Sequence, residues 1–320
     1  MDNFETIQKM IAIARYYYQY NLSRTKIADI LGISRQLVSK LLEQAINEGY
    51  VCVRVIDPFE TNNQLRDRLC KLTDLKDAII VPDPNKGNDG IKKNIGYLGS
   101  MYIIDKIQQG NIIGLGWGST LLKLVKEFER REIPRVKIIP MIGGLGQVDP
   151  ELQVNSLATV LGDKINAKPF LLFSLASYDN KDSRDQILRS SEDVIKYWDD
   201  LDIALVGIGQ VAVEEYFFNT KQVPRSIEER KFMRQKGAVG DINTHYYDIN
   251  GNEIFSDKLF KVSATLDQLR KTPLVVAFAG GMHKVTAIQG AIEGKLIDVL
   301  ITDENVAQEL IKIYSKKQSH

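Results

Sequence analysis

Between an apolar run and an amphipathic one lies Gly114-Leu115-Gly116-Trp117-Gly118-Ser119-Thr120, three glycines at alternate positions followed by two hydroxyls. That order is the layout of a strand, a tight loop and a helix N-terminus. Gly116 and Gly118 let the chain take turns that a side chain forbids and let its backbone approach a ligand closely. Ser119 and Thr120 fall where a helix leaves its first amides unpaired and turns the positive end of its dipole outward. Such a place holds a phosphate. The stretch is not a Walker loop, because no Lys precedes the Ser-Thr pair, and its spacing misses the dinucleotide fingerprint. A Gly-rich turn with an ordinary Ser/Thr cap is the plainer alternative.

Two charged residues extend this chemistry. Lys284 is expected about one turn into a helix that opens with Gly280-Gly281, where an ammonium can complete a phosphate clamp or hold a sugar hydroxyl. Asp241 follows the apolar Gly237-Ala238-Val239 and Gly240. A carboxylate in a loop there accepts hydrogen bonds from polyol hydroxyls. Each also has a bland reading, as a solvated helix lysine and a turn former. Trp117 suits either stacking on a sugar face or covering the sheet edge, and His283 reads as surface. A catalytic reading needs a positioned base. Asp241 is the sole candidate for one, with no His beside it in sequence.

A second set of polar residues lies in the first fifty positions. Ser23 heads Arg24 to Leu31, which breaks at Gly32, and Ser34 heads Arg35 to Glu48. Two Ser-capped helices joined by a Leu-Gly-Ile turn make a helix-turn-helix. Leu37, Val38, Leu41, Leu42 and Ala45 form the apolar face of the second helix. Behind the Ser34 cap, Arg35, Gln36, Ser39 and Lys40 occupy its first turn and a half, the part that reaches base edges in a major groove. Arg35 and Gln36 can make the paired bonds that read guanine and adenine. Arg24, Thr25 and Lys26 open the preceding helix and suit phosphates. A small bundle with a solvated polar face is the competing reading.

The elements that must position these groups follow from periodicity. Ile7, Met10, Ile11 and Ala14 recur at helical spacing toward Tyr16, Tyr17 and Tyr18, and Val51–Ile56 alternates like a short strand, a wing. Residues 57–63 are turn-forming and mark a boundary between domains 1–57 and 58–320. Beyond it, strands are expected near 77–81, 111–115, 136–141, 168–173, 202–207, 273–279 and 297–301. Helices are expected near 64–73, 90–109, 119–128, 152–164, 211–218, 265–270, 283–293 and 304–316. The alternation predicts an α/β fold: a small N-terminal helix-turn-helix domain and a larger α/β domain around a mostly parallel sheet. Ligands of such sheets collect at the strands' C-terminal ends, where Gly114–Thr120, Gly143-Gly144, Gly207-Ile208-Gly209 and Gly280-Gly281 fall.

Bulk numbers narrow the partners. The 320 residues hold 42 Lys/Arg and 41 Asp/Glu, so no overall basic field announces a nucleic-acid binder. The first 56 residues carry seven basic and five acidic side chains. Cys52 and Cys70 make no disulfide framework, and His245, His283 and His320 are too scattered for a zinc site. No metal and no cofactor is expected. Without an 18-residue apolar run or a signal-peptide pattern, a cytoplasmic protein with no membrane partner is expected.

The motifs in order resemble the SorC family of bacterial sugar-responsive transcription regulators, sometimes grouped with the DeoR regulators. The resemblance covers the helix-turn-helix at 22–48, residues 114–120, Gly143-Gly144-Leu145-Gly146, Asp202 to Gly209, Gly237 to Ile242, Ala279 to Lys284 and Leu300 to Ala307. It implies a three-layer α/β effector domain like that of sugar-phosphate isomerases and glucosamine-phosphate deaminases, used here for sensing. It implies that Gly116, Gly118, Ser119 and Thr120 hold an effector's phosphate. Asp241, Lys284 and Gly280 would meet the sugar end, over a floor of Gly207 and Gly209. It further implies double-stranded operator DNA and a phosphorylated sugar or polyol as partners, and a homodimer or homotetramer. One phosphate loop and no second basic pocket favour a monophosphate. The alternative is a sugar-phosphate isomerase or deaminase with an appended helical domain.

Overall fold

A computed structural model describes residues 4–51, 62–82, 87–146, 149–211, 227–255 and 260–318. The chain divides into two compact units, residues 1–56 and 57–320. In the first, α1 (Phe4–Ala14) runs into a π-helical turn at Arg15–Gln19, followed by α2 (Arg24–Leu31) and α3 (Arg35–Asn47). The Ser23 and Ser34 hydroxyls accept from Lys26 N and Leu37 N, at 3.2 and 3.1 Å. Each side chain thereby satisfies one of the amides that a helix start leaves over. Gly32 turns left-handed at φ +64° and lets Ile33 N bond Ala28 O. Met10, Ile13, Ile27, Ala28, Val38, Leu41, Leu42 and Ala45 form one buried cluster. Leu37, expected on that apolar face, is exposed instead, since Val38 and Leu41 already fill the inward positions of its turn.

The second unit carries α4 (Asn63–Leu72), β1 (Asp77–Val81), α5 (Gly87–Ile104), β2 (Ile112–Leu115), α6 (Ser119–Glu127), β3 (Lys137–Pro140), α7 (Val154–Ile165) and β4 (Lys168–Pro169). Next come β5 (Ser177–Tyr178), α8 (Lys181–Ser190), α9 (Glu192–Ile195), β6 (Ile203–Gly207), β7 (Gly209–Gln210) and α10 (Ile227–Gln235). The chain continues with β8 (Gly240–Ile242), β9 (His245–Tyr247), β10 (Glu253–Ile254), β11 (Phe260–Lys261), α11 (Leu266–Lys271), β12 (Leu274–Phe278), α12 (Val285–Glu293), β13 (Val299–Asp303) and α13 (Glu304–Lys317).

Seven strands pair in parallel in the order β1-β13-β12-β6-β2-β3-β4. Successive strand residues enter opposite cores. Ala204 and Val206 join the cluster under α4, α11, α12 and α13, whereas Ile203 and Leu205 join the one under α5, α6 and α7. A sheet buried on both faces explains why its strands read as continuous apolar runs. The three-layer α/β fold expected from the sequence is thus the one observed. A four-stranded antiparallel sheet, β10-β9-β8-β7, and the pair β11-β5 complete the unit.

Some expectations shift. The strand expected over 168–173 is cut to Lys168–Pro169. Past Phe170 the backbone bonds the Asn155 side chain, which accepts from Leu172 N and donates to Leu172 O. Most of the helix expected at 211–218, of the wing at 51–56 and of the boundary turn at 57–63 lies outside the described residues. Among the described residues, no helix is long and apolar enough to cross a membrane.

The last sheet strand ends in Asp303, fully buried. Its carboxylate accepts from Val306 N (3.1 Å), capping α13, and from Gly281 N (2.6 Å). Asp303→Ala removes the cap and strands a buried amide, so unfolding stability in denaturant is expected to fall by about 2–4 kcal/mol. Asp303→Asn, which keeps one acceptor, should recover part of that loss.

Candidate functional site

The connection out of β2 leads to β3 on one side of the sheet, while that out of β6 leads toward β12 on the other. Such a reversal opens a crevice beyond the strands' C-terminal ends. Gly116 and Gly207 meet across it. Gly116 N donates to Leu205 O at 2.9 Å, and a Cβ on Gly207 would stand 3.3 Å from Trp117 O. A Cβ on Gly116 would stand 2.7 Å from the Asn243 carboxamide oxygen. The backbones close up because neither position carries a side chain.

Gly118, at φ +127°, precedes α6 and makes no side-chain cap. The helix's first turn closes with Leu122 N on Gly118 O at 2.9 Å. Ser119, Thr120 and Leu121 therefore have their amides ahead of the first helical hydrogen bond. Ser119 and Thr120 are the opening residues of the helix and not its cap, so the ordinary-cap alternative is not the geometry that forms. Trp117 packs against Ile142, Leu145, Val154 and Ala176, a covering role.

The other site residues arrive on the small sheet. Asp241, expected in a loop, lies in β8 opposite Gly209 of β7. Its carboxylate lies so tightly against Gly209 that no Cβ fits there. Gly280 is pressed between Ile91, Ile95 and Asp303. Lys284 is the last residue of a 3-10 turn, Met282–Lys284, and not a full turn into α12. Gly281 at φ +94° starts that turn, and Lys284 N closes it on Gly281 O at 2.9 Å. The Lys284 Nζ donates to Ile208 O at 2.7 Å. Gly207, Gly209, Asp241 and Lys284 are thus brought together around one strap, Gly207–Gly209, facing the bend at 116–120.

The cations here crowd one another. Burial, and then the neighbouring Lys92, push the Lys284 ammonium down to about 8 against the pull of Asp241. Burial lowers Lys92 as well, with Lys123 adding to the effect and Asp89 opposing it. His283 is lowered by burial, Lys284 and Lys92, against Asp303. The sequence reading missed Lys92. Its only trace there is a set of small residues, Gly96, Gly99 and Ser100, at helical spacing after it, which mark a close helix contact.

Asn243 and Thr244 were also missed. They form the two-residue loop of the β8–β9 hairpin, with φ +48° and +70°, the left-handed pair that such hairpins require. Both are buried, and the Asn243 Nδ2 and Thr244 Oγ1 have no hydrogen-bond partner among the described residues. Beside them His245 Nδ1 lies 2.6 Å from Glu253 Oε1, and its Nε2 lies 2.9 Å from Ser263 Oγ. Burial holds this imidazole below its ordinary pKa. The set has the order of a hydrolytic triad, yet Ser263 and His245 are buried. It acts as a strut under the hairpin.

In the N-terminal unit, Arg24, Thr25, Lys26, Ser34, Arg35, Gln36 and Lys40 are exposed and Ser39 is half-buried. The Arg24 guanidinium lies 5.4 Å from the Tyr17 ring centre.

Residues 57–312 match the sequence family described as "Putative sugar-binding domain". The chain is 31% identical over 312 residues to the deoxyribonucleoside regulator of Bacillus subtilis (strain 168), an alignment covering 96% of this chain and 98% of that one. The chain belongs to the SorC/DeoR-type family of sugar-responsive transcriptional regulators. It is also 29% identical over 322 residues to the sorbitol operon regulator of Klebsiella pneumoniae, covering 98% of this chain and 100% of that one. The crystal structure of that full-length regulator superposes with a TM-score of 0.74 at 28% identity, over 97% of this chain and 100% of that one. Relatives aligned over 95% or more of this chain are named as regulators, so the chain is a regulator and not an isomerase or deaminase.

Proposed function

We propose that this regulator takes a phosphorylated sugar or polyol into the crevice between β2 and β6, and that the ligand sets its affinity for operator DNA. The carrying observation is the bare start of α6, three amides with no cap, facing Lys284 and Asp241 across the strand-order reversal. The phosphate sits on Gly116, Gly118, Ser119 and Thr120, where amides and dipole favour an anion. The Lys284 ammonium and the Asp241 carboxylate take sugar hydroxyls, Gly207 and Gly209 form the floor, and Gly280 lets the Lys284 turn approach. In the N-terminal domain, Arg35, Gln36, Ser39 and Lys40 read base edges from the start of α3, while Arg24, Thr25, Lys26 and Ser34 hold backbone phosphates. The protein works as a homodimer or homotetramer on paired half-sites. Its DNA partner places it in the cytoplasm.

Ligand and DNA are coupled only if the ligand binds one arrangement of the assembly more tightly than another. A coupling of about 1–3 kcal/mol shifts operator affinity about 5–150-fold. Operator binding measured with and without a panel of sugar phosphates is expected to shift for at least one of them. The double change Ser119→Ala, Thr120→Ala removes two hydroxyls and keeps the amides, so it should weaken that shift and leave basal DNA binding intact. Unchanged operator affinity despite demonstrated ligand binding would refute the coupling.

Arg35→Ala and Gln36→Ala are expected to relax sequence choice. Lys26→Ala should weaken all duplexes alike and flatten the dependence of log K on log salt by about one unit. Equal loss on all sequences from all three changes would remove the recognition-helix assignment.

The anion favours charged Lys284, whose ammonium is already held near 8, with Lys92, His283 and Asp241 around it. Calorimetric affinity for the responding sugar phosphate should therefore fall as pH rises from 8 to 9.5. The decline cannot exceed about tenfold per pH unit for a single proton. Lys284→Met should bind more weakly and flatten the profile.

A further inference from the structure

We infer that Lys92 is a second cationic arm of the α6 anion site, reaching it from the neighbouring helix α5. The inference rests on the reading of the α6 start as a phosphate site and names a residue which that reading did not contain.

The placement comes from the helix register. Ser100 Oγ of α5 donates to Glu127 O of α6, 27 residues along the chain, at 3.3 Å. One turn earlier, a Cβ on Gly96 would stand 2.8 Å from the Lys123 carbonyl carbon and from Leu124 N. Gly96 and Lys123 are the same 27 positions apart, so α5 and α6 run side by side in the same direction. Another turn back along both helices pairs Lys92 with Ser119. Lys92 is therefore level with the α6 N-terminus, where the amides of Ser119, Thr120 and Leu121 precede the first helical bond.

The other flank of that turn of α5 lies along the Lys284 turn. A Cβ on Gly280 would stand 2.8 Å from Ile91 Cγ2, and one on Gly281 would stand 3.4 Å from Asn88 Oδ1. Asn88, Ile91 and Lys92 share this first stretch of α5, so Lys92 stands between the start of α6 and the turn that carries His283 and Lys284. Lys92 is half-buried and forms no ion pair among the described residues. The carboxylate nearest in sequence, Asp89, pairs instead with Lys123 at 3.3 Å. Across the bend, the buried Asn243 sets its carboxamide oxygen against Gly116, and its Nδ2 has no hydrogen-bond partner among the described residues. A buried donor left unpaired beside the bend accords with a loop that receives a group not supplied by the protein.

Two ammonium groups flanking bare amides suit a dianion better than a neutral hydroxyl, because hydrogen bonds to charged groups are the stronger ones. Lys92 thus separates a phosphorylated sugar from the free sugar. Lys123, one turn on and already paired, is the internal control.

The test uses the full chain and inorganic phosphate as the probe, titrated by calorimetry at pH 7. Lys92→Met is expected to weaken phosphate about tenfold, equivalent to about 1.4 kcal/mol. Lys92→Arg should retain most of the affinity, and Lys123→Met should stay within twofold of the parent. Thermal midpoints of the three variants, and Lys92→Gln in place of an unfolded Lys92→Met, separate lost binding from lost fold. Phosphate affinity unchanged in Lys92→Met, with affinity lowered in the Ser119→Ala, Thr120→Ala double variant, overturns the role of Lys92 and leaves the α6 site standing. Failure of the parent protein to bind phosphate or any sugar phosphate removes the α6 site, and Lys92 with it.

Discussion

Two adjacent parallel strands, β2 and β6, send their connections to opposite sides of the sheet, and the site follows from that reversal. A parallel strand must be followed by a crossover before the chain can re-enter the sheet. Where neighbouring crossovers diverge, neither covers the strand ends between them. Those ends expose backbone, and backbone is what this crevice offers. Gly116 N reaches Leu205 O across it, and Gly207 lies under Trp117 O. A side chain at Gly116 would meet the Asn243 carboxamide, and one at Gly209 would meet the Asp241 carboxylate. The glycines thus set how far the walls can close, and the walls set which polar groups face the opening.

The small antiparallel sheet lends Ile242 and Tyr247 to the core on one face of the main sheet, and it sets the position of Asp241. Its strands are two or three residues long, too short to be stable alone. They hold because Tyr247 is buried with its hydroxyl on Ala287 O, and because His245 is clamped between Glu253 and Ser263. Thr244, a β-branched residue at φ +70°, carries backbone strain in the hairpin loop. Strain of that kind persists where the surroundings over-determine the conformation, as this strut and the buried tyrosine do.

Much of this was legible in the sequence, for definable reasons. Strands buried on both faces produce long apolar runs, so β1, β2, β3, β6, β12 and β13 could be placed from composition alone. The serine caps of α2 and α3 were legible because capping is local. The two-residue strands β5, β7, β10 and β11 were not, since two residues cannot show a period. Helix α8, with no buried residue, had no apolar stripe to betray it. Asp241 was read as a loop residue because β8 is defined by its pairing with Gly209, thirty-two positions away, and not by any pattern of its own. Lys92 was invisible for a related reason. A lysine on a helix reads as solvated until the helix beside it is known, and that register is held by Gly96 and Ser100.

Crowding Lys92, His283 and Lys284 at one sheet end works against folding, because Lys92 raises the cost of charging Lys284 and both raise the cost of charging His283. Asp241 offsets this only in part, and the Lys284 ammonium rests on a carbonyl and not on a carboxylate. A protein optimised for stability alone would place an acid there. On the proposed reading, leaving the charges unbalanced keeps part of the favourable electrostatics in reserve for an anion. Any species that binds only the native fold stabilises it by mass action. It also selects, among native arrangements, the one in which the two walls stand at the right separation. The proposed anion site, built from bare amides and mutually repelling cations, would be a poor structural element and for that reason a sensitive receptor.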